Sequence, residues 1–101
     1  MRLKGYLSHI GEPRTWTNQQ GEKMYSYPVE LKIPYLNSNG EERFDELMGE
    51  HIAANPEYIK KLETEMEKQT GMEFTCSFSI KDWKDKRIGN MRVTNIQLLM
   101  G

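Results

Sequence analysis

From Met72 to Lys81 the chain alternates without a break: Met72, Phe74, Cys76, Phe78 and Ile80 fall on one parity, and Glu73, Thr75, Ser77, Ser79 and Lys81 on the other. Successive side chains of a strand point to opposite faces, so this pattern demands a strand with one apolar and one wet face. Such a strand needs others to pair with. Arg2–Ile10 supplies one, with Leu3, Gly5 and Leu7 opposed to Arg2, Lys4, Tyr6 and Ser8. A second runs from about Met24 to Tyr35, with Tyr27, Val29, Leu31 and Ile33 against Ser26, Pro28, Glu30 and Lys32. A third covers about Glu42–Met48 with Phe44 as its buried side chain, and a last one runs from about Met91 to Met100.

The interruptions are as informative as the strands. Gly5, in mid-strand, marks a bend that curls a sheet. Pro28 has no N–H to donate and belongs at an edge or a bulge. In the last strand Met91 and Val93 lie on one parity and Ile96, Leu98 and Met100 on the other, which requires a bulge near Thr94 and Asn95. Asn37-Ser38-Asn39-Gly40 is a hairpin turn, and the polar span Pro13–Lys23, with Gly21 near its end, reads as a hairpin tip. Asp82–Asn90 reads as a polar, basic loop. One helix is expected: Asn55 as N-cap, Pro56 at the first helical position, Ile59, Leu62 and Met66 as an apolar stripe, and Gly71 as the stop.

The order is strand, strand, strand, helix, strand, strand in 101 residues, enough for one core and so for a single domain, 1–101. This is the element order of an OB-fold, an all-β five-stranded Greek-key barrel with one helix between strands 3 and 4. An α+β sandwich with the helix lying across an open sheet uses the same elements, but length and order fit the barrel better. No apolar run approaches the ~18 residues that cross a bilayer, and the N-terminus lacks a signal-type apolar segment, so a cytoplasmic protein without a membrane partner is expected. One cysteine and two histidines show no metal spacing, which excludes a disulfide scaffold and a zinc module. No phosphate loop, dinucleotide fingerprint or catalytic constellation is present, and His51 reads as a structural or surface residue; an enzyme is not expected, nor any cofactor.

The net charge of −1 conceals a polarised sequence. Residues 41–71 carry four basic and nine acidic residues, net −5, and the rest of the chain is net +4. In an OB-fold, ligands lie across strands two and three between the loops joining strands one to two and four to five. Here those loops are Pro13–Lys23 and Asp82–Gly89, and each carries a tryptophan flanked by cations: Trp16 with Arg14 and Lys23, Trp83 with Lys84, Lys86 and Arg87. An indole in a solvated loop either stacks on an unpaired base or folds over the barrel mouth as a lid. Tyr6, Tyr25 and Tyr35 offer weaker stacking candidates, and Lys4, Lys32 and Arg92 offer phosphate contacts on strand faces. With the basic portion forming a groove and the acidic portion facing away, single-stranded nucleic acid binding is expected. The alternative is an OB-fold that serves as a protein-interaction or oligomerisation module, since Trp and Tyr are also typical interface residues.

Leu3-x-Gly5-x-Leu7, the Trp16 hairpin with Gly21-Glu22 at its tip, Val29-x-Leu31-x-Ile33 and Asn90-x-x-Val93-x-x-Ile96-x-Leu98 together resemble the bacterial single-stranded DNA-binding protein (SSB) superfamily. Its small relatives, primosomal replication protein B and the SSB-like domains of Bacteroidetes and mobile elements, are similar in size. The resemblance lies in element order and spacing over nearly the whole chain. It implies a homodimer or homotetramer binding single-stranded DNA or RNA, with Trp16, Tyr25 and Trp83 stacking bases and Arg14, Lys23, Lys32, Lys84, Lys86 and Arg87 contacting phosphates. Replicative members end in an acidic tail, whereas this sequence ends at Gly101 beside its last strand, so an accessory SSB-like role is expected.

Overall fold

In the computed structural model, which describes residues 1–84 and 86–99 with the side chains of 81–83 and 86–89 left aside, six strands and one helix follow each other. They are β1 (Arg2–Ile10), β2 (Arg14–Thr17), β3 (Lys23–Leu36), β4 (Glu42–Ala53), α1 (Pro56–Glu67), β5 (Met72–Trp83) and β6 (Lys86–Leu98). The sheet order is β1-β5-β6-β4-β3-β2, and β1 also pairs with β3, which closes β1, β5, β6, β4 and β3 into a five-stranded barrel. This is the OB-fold. The helix lies between β4 and β5 rather than between a third and a fourth strand, because the span read as a hairpin tip contains a short additional strand. Thr15 and Thr17 suit a strand, and Arg14–Thr17 pairs antiparallel with Ser26–Lys23. No helix among the described residues is long and apolar enough to cross a membrane.

Closure occurs where the glycine was expected to bend the sheet. Arg2–Gly5 pairs with Thr75–Met72 of β5, and from Tyr6 onward β1 pairs with β3. At Gly5 a Cβ would run into the Lys32 carbonyl oxygen and lie 3.1 Å from Ile33 Cα, so only glycine lets β1 pass between two partners. In β6, Asn95 faces Thr75 and Val93 faces Cys76, which leaves Thr94 unmatched. That bulge is the one the parity change required. Ser8 is the corresponding extra residue of β1, between Leu7 and His9. Both bulged hydroxyls donate across the ladder at 3.1 Å, Ser8 Oγ to the Glu30 carbonyl and Thr94 Oγ1 to the Thr75 carbonyl. Pro28 sits between Ile10–Val29, the last β1 pair, and Arg14–Ser26, the first β2 pair, so its missing N–H falls where β3 changes partner.

The core is formed by Leu7, Tyr27, Val29, Leu31, Met72, Phe74, Cys76, Met91, Val93 and Ile96, and is capped by Ile59 and Leu62 of α1. Asn55 Oδ1 accepts the Glu57 N–H at 2.9 Å, as an N-cap should. The helix stops differently from expectation. Gln69, not Gly71, takes the left-handed conformation (φ 57°), with Gln69 N–H bonded to Met66 O and Thr70 N–H to Glu65 O, a Schellman arrangement completed before Gly71 is reached. The loops Asn18–Glu22 and Asn37–Glu41 share one construction, Asn-x-x-Gly-Glu. In each, the asparagine Oδ1 accepts the N–H groups two and four residues on, and the glycine has positive φ (79° and 76°).

Two expectations fail at the strand ends. Asp82–Asn90 is not a loop: β5 and β6 stay paired out to Trp83–Lys86, with Lys84 (φ 47°) in the turn. Phe44 is not buried, because the register with β3 puts it opposite Pro34 on the outer parity of β4, beside Lys32 and Glu46; the residue is 47% exposed, with Lys32 Nζ 5.9 Å from its ring centre. Leu47, opposite Leu31, and His51, opposite Tyr27, hold β4 to the core instead.

Candidate nucleic-acid interface

Residues opposite one another in a sheet share a face, so the ladder registers assemble the outer surface of the barrel. Trp16 lies opposite Met24 and Arg14 opposite Ser26. Ser26 in turn faces Ile52, and Pro28 faces Glu50. Glu50 neighbours Arg92, which faces Ser77, and Asn90 faces Ser79. One continuous surface thus crosses β2, β3, β4, β6 and β5. Two adjoining hollows lie along it. The first, about 280 Å³, is lined by Arg14, Thr15, Trp16, Glu50, Ile52 and Arg92. The second, about 340 Å³, continues over Ser77, Ser79, Asn90 and Met91 and shares Arg14, Glu50 and Arg92 with the first.

The chemistry of this groove is an indole and an aliphatic side chain beside two guanidiniums, followed by small hydroxyl and amide groups. Trp16 is 37% exposed. Arg14 Nη2 lies 3.9 Å from Glu50 Oε1 with both side chains largely solvated, so the pair orients Arg14 without holding it tightly. A strand laid here would meet a stacking surface at one end and phosphate or base-edge donors at the other.

The expected binding residues divide into three groups. Trp16 and Arg14 come together in the groove, joined by Arg92. Tyr25 and Lys23 do not join them: they face Thr15 and Thr17, on the opposite parity from Trp16. Tyr25 instead packs against the core rim, stacked on Tyr27 at 6.2 Å, with Lys23 Nζ 5.5 Å from its ring centre. Lys32 is on the outer face but far along β3, opposite Tyr6 and Glu46. Lys84 is at the exposed turn between β5 and β6. The Trp83, Lys86 and Arg87 side chains lie outside the described residues. Glu50, Ile52, Ser77, Ser79 and Asn90 were not among the binding residues expected from sequence; the polar parity of the 72–81 alternation was the available signal for the two serines.

Charge is arranged differently from expectation as well. The acidic stretch 41–71 does not face away as a unit, because β4 lies between β3 and β6 and brings Glu46 and Glu50 to the same outer face as Lys32 and Arg92. Only its helix is separate. On the inner face His51 is buried, its Nδ1 2.7 Å from the Val93 carbonyl and its ring 5.7 Å from that of Tyr58, so it braces β4 to β6 and to α1. Burial pushes the Cys76 thiol and the Tyr27 and Tyr58 phenols above their ordinary values, which leaves Cys76 a protonated packing group rather than a nucleophile.

No protein-family model and no curated protein matches the sequence. Among solved structures, the fold is similar to a deletion mutant of the single-stranded DNA binding protein from Thermus aquaticus, at 14% identity and a TM-score of 0.46 over 99% of this chain and 49% of that one. This chain therefore spans about half of that protein's length. It is also similar to the Plasmodium falciparum SSB in complex with ssDNA, at 11% identity and a TM-score of 0.48, over 99% of this chain and 93% of that one.

Proposed function

We propose that this OB-fold binds single-stranded nucleic acid, DNA in the first instance, along the outer groove from Trp16 to Asn90, without a catalytic step, as an accessory SSB-like protein acting in a homo-oligomer. The observation that carries the reading is the exposed Trp16 indole set beside Arg14 and Arg92 in one open groove. Stacking on an indole contributes on the order of 1–3 kcal/mol per base and tolerates any base, while the two guanidiniums neutralise backbone phosphates. Glu50 gives up its loose contact with Arg14 when a phosphate arrives. A single barrel offers a short site, so self-association lengthens the track.

Trp16→Ala is expected to weaken binding of a 30-mer of oligo-dT by roughly tenfold to a hundredfold at low salt, and Arg92→Ala to lower the log–log salt slope by about 0.7. The second reading, an interaction or oligomerisation module, draws on the acids Glu30, Glu46 and Glu50 on the same face. Light scattering on Trp16→Ala separates the two. Loss of the oligomer with no oligonucleotide binding in either protein supports the module; loss of DNA binding with the oligomer intact supports the groove.

A further inference from the structure

Among the described residues, β4 has a strand partner on one side only on its N-terminal side of Gly49. β3 accompanies it throughout, from Leu36–Glu42 to Tyr25–Ala53, whereas β6 meets it, among the described residues, only at Glu50–Arg92 and His51–Val93. The edge of Glu42–Met48 turned away from β3 therefore presents unpaired backbone groups, a template for another extended chain. Its outer face alternates acid and apolar: Glu42, Phe44, Glu46, Met48, Glu50. Met48 is 73% exposed, unusual for a side chain of that size on an ordered strand.

The surrounding ribbon sets the sign of what fits. Residues 30–48 carry Glu30, Glu41, Glu42, Asp45 and Glu46 against Lys32 and Arg43. Arg43 is engaged by Glu41 at 3.0 Å and Lys32 leans over Phe44, so among the described residues Glu42, Asp45 and Glu46 have no ion pair. This end of the outer face repels a polyanion, while the Trp16 end offers two arginines. We infer that the β4 edge receives an extended cationic segment of a partner protein, with Lys or Arg alternating with apolar residues on one face, cations opposite Glu42 and Glu46 and apolar side chains against Phe44 and Met48. Main-chain bonds supply the docking, and the acid–apolar alternation supplies the selection.

The test is fluorescence anisotropy on the full chain with a labelled peptide of Lys-Thr-Val-Thr repeats and a control with Glu in place of Lys. The Lys peptide is expected to bind at least about tenfold tighter at low salt and to weaken as salt rises. The double variant Glu42→Lys, Glu46→Lys should lose most of that affinity, as should Phe44→Ser, Met48→Ser, which keeps the charge; circular dichroism confirms that each is folded. Amide shifts on the unaltered protein should concentrate at Glu42–Met48, and this readout decides the matter if a variant fails to fold. Equal affinity for both peptides, shifts centred elsewhere, or displacement of the peptide by oligo-dT would overturn the inference. So would a dimer of the unaltered protein that the Glu42→Lys, Glu46→Lys variant dissolves without any peptide, since a second copy would then occupy the edge.

Discussion

Phe74 and Phe78 stand on the same strand and the same parity, four residues apart, yet Phe74 is fully buried and Phe78 is 55% exposed. Ile80, two residues further, is 64% exposed. The same contrast divides β3, where Leu31 is buried while Tyr35, four residues on and of the same parity, is 44% exposed. Both regions are paired antiparallel ribbons. In the barrel each ribbon is covered by the other strands and by α1; beyond it the ribbons project past the buried cluster. Alternation specifies which face a side chain takes, and the depth of burial depends on what lies across from that face.

Truncation breaks the comparison most sharply. Phe74→Ala is expected to cost about 4 kcal/mol of folding free energy and Phe78→Ala less than about 1 kcal/mol, read as midpoint shifts in urea with an unchanged slope. Equal costs would mean that the ribbon is as well covered as the barrel. Next in size is Gly5→Ala, expected to cost about 2–3 kcal/mol because its methyl group meets the β3 backbone at the point of closure. Asn55→Ala removes the bond to the Glu57 N–H and should cost about 1 kcal/mol, a measure of how far α1 depends on its own cap rather than on the barrel it covers.

The smallest effect concerns pH. Cys76, Tyr27 and Tyr58 are all raised by burial, so the folded protein holds their protons more tightly than the unfolded chain does. Their contribution is complete below the ordinary thiol value of 9.0 and is lost as pH rises beyond it. Urea midpoints should therefore fall above pH 9, and Tyr58→Phe should flatten that fall without removing it.

Much of the fold was legible in the sequence because it depends on local parity and on a few special residues. Gly5 announced the point of closure, and the parity change between Val93 and Ile96 announced the Thr94 bulge. Asn55-Pro56 announced the helix start. The helix stop was misassigned because an αL position is usually glycine, and Gln69 takes it here with its cap bonds complete. Phe44 was misread because the register with β3 puts it on the outer face, and the 82–90 ribbon because strand pairing continues beyond the barrel, as it does at Phe78. The site was harder to read, since strand order is a long-range property. That Arg92 of β6 lies beside Glu50 of β4, and both beside Arg14 of β2, follows from the parallel β4–β6 pairing, which no sequence spacing encodes. The same pairing brings Glu46 and Glu50 of β4 into the outer face, so splitting the charge by segment misplaced those acids.

The most direct test of the groove uses Trp16 as its own reporter. In a Trp83→Phe protein, where Trp16 is the remaining indole, titration with a 30-mer of oligo-dT at low salt should quench the fluorescence saturably, and added salt should reverse the quench. Unchanged Trp16 emission together with no retarded complex on a native gel would contradict the account.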